Sequence, residues 1–286
     1  MAIDPEALIN WRFEDLEQAF TARETILYAL GVGLGNPPDD RDQLPFVYEK
    51  GLKALPTMGV VLGYPGFWIK DPATGIDWRR VLHGEQGLEL LAPLPAAGTV
   101  IGRTRVTGLI DKGKARGALM FSEREVIDKA SGALLCRLSQ TAVLRGDGGF
   151  GGPEGPVPPP HPIPERRPDL VCELPTVPQA ALIYRLSGDD NPLHADPAIA
   201  SAAGFPRPIL HGLCTFGVVG HALLKCACGY RPECLKSMRL RFSAPVFPGE
   251  AIRTEMWREE GVLSFRAKVL PRDVVVINNG RAEIAA

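Results

Sequence analysis

The chain has 286 residues, of which 45% are hydrophobic and 23% are charged, and its formal net charge is −1. This is globular composition with ample material for a core, and the length suits two ordinary domains or one large one. A charge so near zero excludes a general nucleic-acid or membrane-surface role, although a local basic patch would still accept a polyanionic ligand.

Targeting signals are not evident in the sequence. The N-terminal segment is acidic and has no apolar signal core, so we do not expect secretion. The longest apolar stretch, residues 213–227, carries His221 and Lys225 and is too short to cross a bilayer. The final residues RAEIAA are not a peroxisomal address. We therefore expect a cytoplasmic protein that does not enter membranes.

The first half, residues 1–145, predicts helical segments followed by strands. RETILYALGVGLG predicts a helix that ends in glycines, and LPTMGVVLGY is an apolar segment that suits a central helix. Strand patterns follow in GLELLAPLPA, TVIGRTRVTGLIDKG, KARGALMFSEREVID and ALLCRLSQTAVLRG.

Two polar sites in this half are weak candidates for substrate binding. His83 and Gly84 begin the sequence HGEQ, which either lines a ligand groove or forms a polar turn between strands. Glu49 is a lone acid beside aromatic residues, and such an acid is usually a surface carboxylate.

A glycine- and proline-rich segment, residues 146–168, has no periodic pattern and predicts a linker. The second half, residues 169–286, repeats the order of elements. Asp196 as N-cap, Pro197 and Gly204 predict a short helix, and a long apolar helix begins near His211. Strand patterns follow in SMRLRFSAPVF, AIRTEMWREE, VLSFRAKVL and VVVINNGRAEIAA. A buried helix followed by an antiparallel meander, occurring twice, predicts an α+β fold with a sheet around a helix in each half.

The most informative segment places Asp189, Asn191 and His194 within six residues. Pro192 has no amide donor and disfavours helical geometry at Asn191, so the chain must turn there. A carboxylate and an imidazole at one turn can hold a water between them, as adding or removing water requires. Taken singly, either residue would more often be structural.

His211 and Gly212 stand at the predicted start of the long helix, where unpaired amides favour negative charge. Gly212 lets a ligand carbonyl approach its N–H, which would stabilise a developing enolate oxygen. The alternative is a glycine that only relieves packing.

Other patterns argue against further chemistry. The six cysteines predict free thiols, and Cys226, Cys228 and Cys234 near His221 lack the paired C-x2-C spacing of zinc knuckles. GVGLG does not have the glycine spacing of a dinucleotide-binding fingerprint. We therefore expect no metal site.

The segment YRLSGDDNPLHADPAIASAAGFPRPILHGLCT resembles the signature of the hydratase 2 family, the R-specific enoyl-CoA hydratases related to MaoC-like dehydratases. The similarity extends to FVYEKGLKALPTMGVVLG, VLHGEQGLELLAPLPAAG, LIDKG and RFSAPVFPGE, which resemble the hydratase domain of peroxisomal multifunctional β-oxidation enzymes. It thus covers nearly the whole chain.

The resemblance implies a double hot-dog fold whose first unit is degenerate and accommodates acyl chains. It implies that Asp189 and His194 are the catalytic dyad, that Asn191 orients them, and that Gly212 contacts the oxyanion. His211, Glu49, His83 and Gly84 are then expected to bind substrate.

The expected activity is reversible syn hydration of a trans-2-enoyl-CoA to the (3R)-3-hydroxyacyl-CoA. No cofactor is expected beyond the coenzyme A of the substrate, and a homodimer is expected from the family. The alternatives are a hot-dog acyl-CoA thioesterase and a non-catalytic acyl-CoA-binding module.

Overall fold

The computed structural model describes residues 3–270 and 272–285. Its main feature is a ten-stranded sheet in which neighbouring strands all run antiparallel. The strands are β1 (Leu16–Phe20), β2 (Val81–Leu90), β3 (Gly98–Asp111), β4 (Ala118–Asp128), β5 (Leu134–Leu144), β6 (Leu170–Pro175), β7 (Leu235–Phe242), β8 (Ala251–Glu259), β9 (Val262–Leu270) and β10 (Val274–Ile284). The α-helices are α1 (Pro5–Ile9), α2 (Ala22–Gly31), α3 (Leu44–Val47), α4 (Ala180–Tyr184), α5 (Pro197–Ala202) and α6 (Gly212–Ala227).

The two halves of the sheet have the same connectivity. The strand order is β1-β3-β4-β5-β2-β7-β10-β9-β8-β6, so the second strand of each half stands at the centre. The halves join there, where β2 and β7 pair from Glu85 opposite Arg241 to Glu89 opposite Ser237. This confirms the repeated antiparallel meander and the double hot-dog fold. Residues 146–168 form neither helix nor strand, and the bounds of the two units stay a prediction.

Helix α6 is the central helix of the second half and confirms the long apolar helix. Apart from Thr215, His221 and Lys225 its residues are apolar, as expected of a helix enclosed by protein, and every residue from Cys214 to Leu224 is buried. It also packs closely on the first half, since a Cβ added at Gly220 would overlap the methyl group of Thr57. The helix therefore ties both halves into one core.

The central segment of the first half differs from the regular helix that its apolar sequence suits. Only Pro56–Val61 is helical, as a short 3-10 helix that packs on α6, β2 and β5. Gly63 has a left-handed φ of 60°, and its N–H donates to Gln18 Oε1 at 2.6 Å. The Val60 carbonyl accepts a bond from Arg124 at 2.6 Å. The backbone groups that would continue a helix are thus bonded elsewhere.

Most predicted elements are present. Asp196 caps α5 by accepting from the amides of Ala198 and Ile199, as its position predicts. Strands β3, β4, β5 and β7 to β10 fall within the predicted runs or a few residues from them. Strand β2 begins earlier than expected, at Val81, so HGEQ lies inside a strand and the alternative of a turn is wrong. The short strands β1 and β6 were not predicted.

Candidate active site

The segment that carries Asp189, Asn191 and His194 is a turn, as predicted. Gly188, with φ of 112°, ends a short 3-10 helix, and a second one spans Pro192–His194. Two side chains fix the bend by accepting backbone amides: Asp189 Oδ1 from Asn191 N at 3.2 Å and Asn191 Oδ1 from Leu193 N at 3.1 Å. The side chains of Asp189 and Asn191 thus both stabilise the turn.

His194 is buried and held in one tautomer. Its Nδ1 lies 2.9 Å from the Ile209 carbonyl, which can only accept, so Nδ1 carries the proton and Nε2 keeps its lone pair. Burial lowers the pKa of His194 below its ordinary value, against the opposing effects of that hydrogen bond and of Asp189. The imidazole is therefore neutral near pH 7.

His211 supports His194 from behind. The two rings stack with centroids 3.8 Å apart, and His211 Nε2 lies 3.2 Å from the Asp189 carbonyl. Burial, with the nearby His194, lowers the pKa of His211 to about 3. His211 is 1% exposed and does not line the cavity described below, so the structure does not support direct substrate binding by this residue.

Asp189, His194 and His211 bring ligand-type atoms within 4.8 Å of one another. Such a group would in principle suit a metal ion, but each histidine donates one N–H to a backbone carbonyl. The remaining nitrogen of His211, Nδ1, is enclosed by protein without a partner. Of these three residues, only Asp189 and His194 line the cavity.

The cysteine group considered for zinc is engaged elsewhere. His221 Nε2 lies 2.9 Å from Tyr230 Oη, and Cys234 donates to the Ala285 carbonyl at 3.1 Å. These contacts engage one ring nitrogen of His221 and the thiol of Cys234 with partners other than a metal ion.

Gly212 is the first residue of α6 and lines the same cavity. The preceding His211 provides no side-chain cap, and the first intrahelical bond shown runs from Thr215 N to His211 O. The Gly212 N–H is thus one of the amides that a helix start leaves unpaired, in the field of the helix dipole.

The cavity has a volume of about 510 Å³ and extends from the turn across the sheet of the first half. Its walls combine seven residues of the segment 60–69 and residues of β2, β4 and β5 with Asp189, His194 and Gly212. A second core cluster of the first half includes Val106 and Leu144, and its members Ile69, Met120 and Ala142 also line the cavity. Residues of the first half thus form much of the cavity wall beside the turn.

Of the other residues predicted to bind substrate, His83 lines the cavity, and Gly84 and Glu49 do not. His83 lines the cavity, with its ring 4.8 Å from that of Phe242, and burial lowers its pKa to about 4. Gly84 lies at a bulge in β2, packed against Val143 and Thr141, and is not a lining residue. Glu49 is exposed and lies outside the cavity. The structure therefore supports His83 as a binding candidate and contradicts a place for Glu49 in the cavity wall.

Polar residues that were not predicted from the sequence also line the cavity, above all Arg124 on β4 and Gln140 on β5. The alternation of strand residues would have placed Met120, Ser122 and Arg124 on one face of β4. It does not say that this face borders a cavity.

Comparison with known proteins supports the arrangement of two halves. A family model described as MaoC like domain matches residues 161–279, and one described as MFE-2 hydratase 2 N-terminal domain matches residues 18–146. A Mycobacterium tuberculosis protein named 3-hydroxyacyl-thioester dehydratase Y is 42% identical over 100% of both chains. Peroxisomal enoyl-CoA hydratase 2 of Arabidopsis thaliana is 39% identical over 95% of this chain and 93% of its own.

Among solved structures, a MaoC-like dehydratase from Phytophthora capsici superimposes with a TM-score of 0.86 at 34% identity, covering 99% of this chain and 98% of its own. Matches at this identity extend over nearly the whole chain and include both halves. The chain therefore belongs to the family of MaoC-like dehydratases and MFE-2 hydratase 2 proteins.

Proposed function

We propose that the protein is a hydro-lyase that reversibly hydrates trans-2-enoyl-CoA to (3R)-3-hydroxyacyl-CoA. The observation that carries the proposal is the close approach of the Asp189 carboxylate and the His194 imidazole, within 4.8 Å, at a cavity that Gly212 at the start of α6 also lines. The names of the relatives, enoyl-CoA hydratase 2 and 3-hydroxyacyl-thioester dehydratase, support the same reaction class.

The charge states suit activation of a water. A neutral His194 with its proton on Nδ1 offers the lone pair of Nε2, and the Asp189 carboxylate also accepts hydrogen bonds. A water that donates to both groups turns an oxygen lone pair towards the substrate. The pair therefore orients the nucleophile and accepts its proton.

The reaction then proceeds through an enolate. The Gly212 N–H donates to the thioester oxygen and stabilises the negative charge that develops there. The water oxygen bonds to C3 as its proton passes to the dyad, and the dyad delivers that proton to C2. Since one water supplies both groups to one face of the double bond, the addition is syn, and the reverse sequence eliminates water.

Two other functions share this architecture. A hot-dog thioesterase would release free coenzyme A, and a binding module would retain enoyl-CoA without converting it. The paired acceptors at Asp189 and His194 favour hydration, since a binding module has no need of them.

The test is to incubate purified protein with crotonyl-CoA and to follow loss of enoyl absorbance, free thiol and the configuration of the product. We expect loss of absorbance, a 3R product and no thiol. Thiol release would establish the thioesterase, and bound but unchanged crotonyl-CoA would establish the binding module.

Three further parts of the proposal concern the working state. We propose that the enzyme needs no cofactor besides the coenzyme A of its substrate, acts as a homodimer and is located in the cytoplasm. Among the described residues, no helix is both long enough and apolar enough to span a bilayer. Activity after dialysis against a chelator, sedimentation velocity and cell fractionation would test these points in turn.

A further inference from the structure

The cavity floor in the first half is more polar than a plain hydrocarbon chain requires. Ser122 on β4, Gln140 on β5 and Gln86 on β2 occupy directly paired positions across three strands, and all three line the cavity. Arg124 lies two residues beyond Ser122 on the same face of β4, opposite Thr104 of β3. A band of hydrogen-bonding side chains thus crosses the floor.

Arg124 is the charged member of this band. One guanidinium nitrogen, Nη2, donates to the Val60 carbonyl at 2.6 Å, and Cζ lies 5.3 Å from the centre of the Tyr64 ring. Its Nε is enclosed without a partner. Because an arginine has five N–H donors, the Val60 bond leaves most of its hydrogen-bonding capacity unused.

The charge of Arg124 has no ion-pair partner among the described residues. Burial lowers its pKa to about 10, and the groups that oppose this shift are Cys136, Tyr64 and Tyr184 rather than a carboxylate. The side chain is partly exposed, and because it lines the cavity, that exposed part faces the enclosed space. A guanidinium that is desolvated and unpaired is costly, and a ligand oxygen would offset this cost.

We propose that Arg124 recognises an oxygen atom on the acyl part of the substrate, either a carboxylate or a ketone, beyond the double bond that is hydrated. Ser122 supplies a neutral hydrogen-bonding group two residues away on the same face of β4, and Gln140 supplies another on the neighbouring strand β5. Gln86 lies one strand further away, and its Nε2 already donates to the Gly87 carbonyl. This inference rests on the proposed hydratase function and names the class of substrate, an oxygenated enoyl-CoA.

Two other roles for Arg124, which do not involve the substrate, predict a result different from that of oxygen recognition. If it only anchors the segment through Val60, its loss affects all substrates equally. If its charge instead assists the turn that carries Asp189, all substrates again lose rate together. If Arg124 recognises a distal oxygen, its replacement lowers the rate only for substrates that carry this oxygen.

The experiment compares the full-length wild type with Arg124→Met on trans-2-enoyl-CoAs of several lengths that end in a methyl group, a methyl ketone or a carboxylate. Crotonyl-CoA, which has no distal group, reports folding and basal activity in the same preparations. Arg137→Met is the matched control, since Arg137 is an exposed arginine on the neighbouring strand β5.

We expect the wild type to hydrate an oxygenated chain at least as well as the methyl-ended chain for at least one length. Arg124→Met should lower kcat/KM for that substrate about tenfold to a hundredfold, the usual effect of losing a charged hydrogen bond, and should spare crotonyl-CoA. Arg124→Lys should restore part of the loss, and Arg137→Met should resemble the wild type.

The relative effects on ketone and carboxylate identify which oxygen is recognised. Equal losses on all substrates, crotonyl-CoA included, would overturn the inference, as would a wild type that prefers methyl-ended chains at every length. A wild type that does not hydrate crotonyl-CoA would instead refute the proposed function itself.

Discussion

The Ile209 carbonyl determines what His194 can do. It holds the proton of the ring on Nδ1 at 2.9 Å, so the nitrogen that remains to act is an acceptor. His211 stacks on the same ring, with the two centroids 3.8 Å apart. The dyad thus consists of the Asp189 carboxylate and the His194 imidazole. The Ile209 carbonyl orients His194 directly, and the Asp189 carbonyl binds the stacked His211.

Replacing either member of the dyad should remove activity without unfolding the protein. In Asp189→Asn the acceptor carboxylate becomes an amide, and in His194→Gln the basic nitrogen is lost, so each should lower kcat at least about 10²- to 10⁴-fold. Crotonyl-CoA kinetics and the melting temperature measure the two effects.

Asp190→Asn is the matched control, because Asp190 is the exposed neighbour of Asp189. It should retain near wild-type turnover. Full activity in either dyad variant would show that the assignment of the dyad is wrong.

At this scale the sequence predicted the local part of the site. Asp189, Asn191 and His194 are close in the chain, and Pro192 forces the bend, so their proximity could be inferred. The stacking of His211 and the placement of Arg124 depend on contacts between distant segments, which residue spacing alone does not encode.

The start of helix α6 allows a direct test of the N–H of Gly212. His211 has φ of −56° and ψ of 137°, a conformation that suits a residue before proline, and proline is well tolerated as the first residue of a helix. Gly212→Pro should therefore keep the helix while removing the donor. We expect kcat to fall about 10²- to 10³-fold, as for the loss of one oxyanion donor.

Gly212→Ala controls for the added carbon, since either side chain places a Cβ about 3.3 Å from Phe242 Cε1. The alanine variant should lose much less activity than the proline variant. Similar kcat values in the two variants would argue that the N–H does not contact the substrate.

The segment that covers the cavity depends on Gly63. Its φ of 60° is left-handed, and an added Cβ would lie 2.6 Å from Gly102 Cα. Gly66 is also left-handed, with φ of 75°, but has no neighbour within 4 Å of an added Cβ. Gly66→Ala should cost about 1 kcal/mol of backbone strain, and Gly63→Ala clearly more.

Urea denaturation of both alanine variants measures the free energies of unfolding. Equal losses would mean that the close contact between Gly63 and Gly102 is relaxed without cost.

At the element scale, prediction succeeded where one pattern decides the structure. The alternating strands and the largely apolar α6 follow from the sequence pattern. Residues 55–64 have an apolar pattern as well, but Gly63 and the competing bonds from Gln18 and Arg124 end the helix early. Such bonds come from β1 and β4, which are distant in sequence.

At the scale of the whole molecule, buried neutral histidines link stability to pH. Burial lowers the pKa of His211 to about 3 and that of His221 to about 4. Between these values and the unfolded value near 6.5, the unfolded chain binds more protons than the folded one. Stability should therefore be fully present above about pH 6.5 and decrease as the pH falls below it.

Urea midpoints between about pH 7 and pH 5, above the range where carboxylates titrate, should show this decrease. His221→Gln should flatten the dependence because it removes one of the depressed groups. An unchanged slope in that variant would contradict the contribution of His221.

The global topology was partly predictable. The repeated order of elements indicated two similar halves, but only pairing between β2 and β7 shows that they form one sheet. This pairing joins residues about 150 positions apart in the sequence, where no local signal applies.

The short 3-10 helix at Pro56–Val61 stands opposite a full sixteen-residue helix in the other half. Two identical halves would hold two reaction centres, each crowded by its own long helix. We infer that the shorter helix leaves the first half free to accommodate a long acyl chain. Active-site titration should accordingly give one equivalent per polypeptide, and substitutions in the first half should change the range of accepted acyl chains.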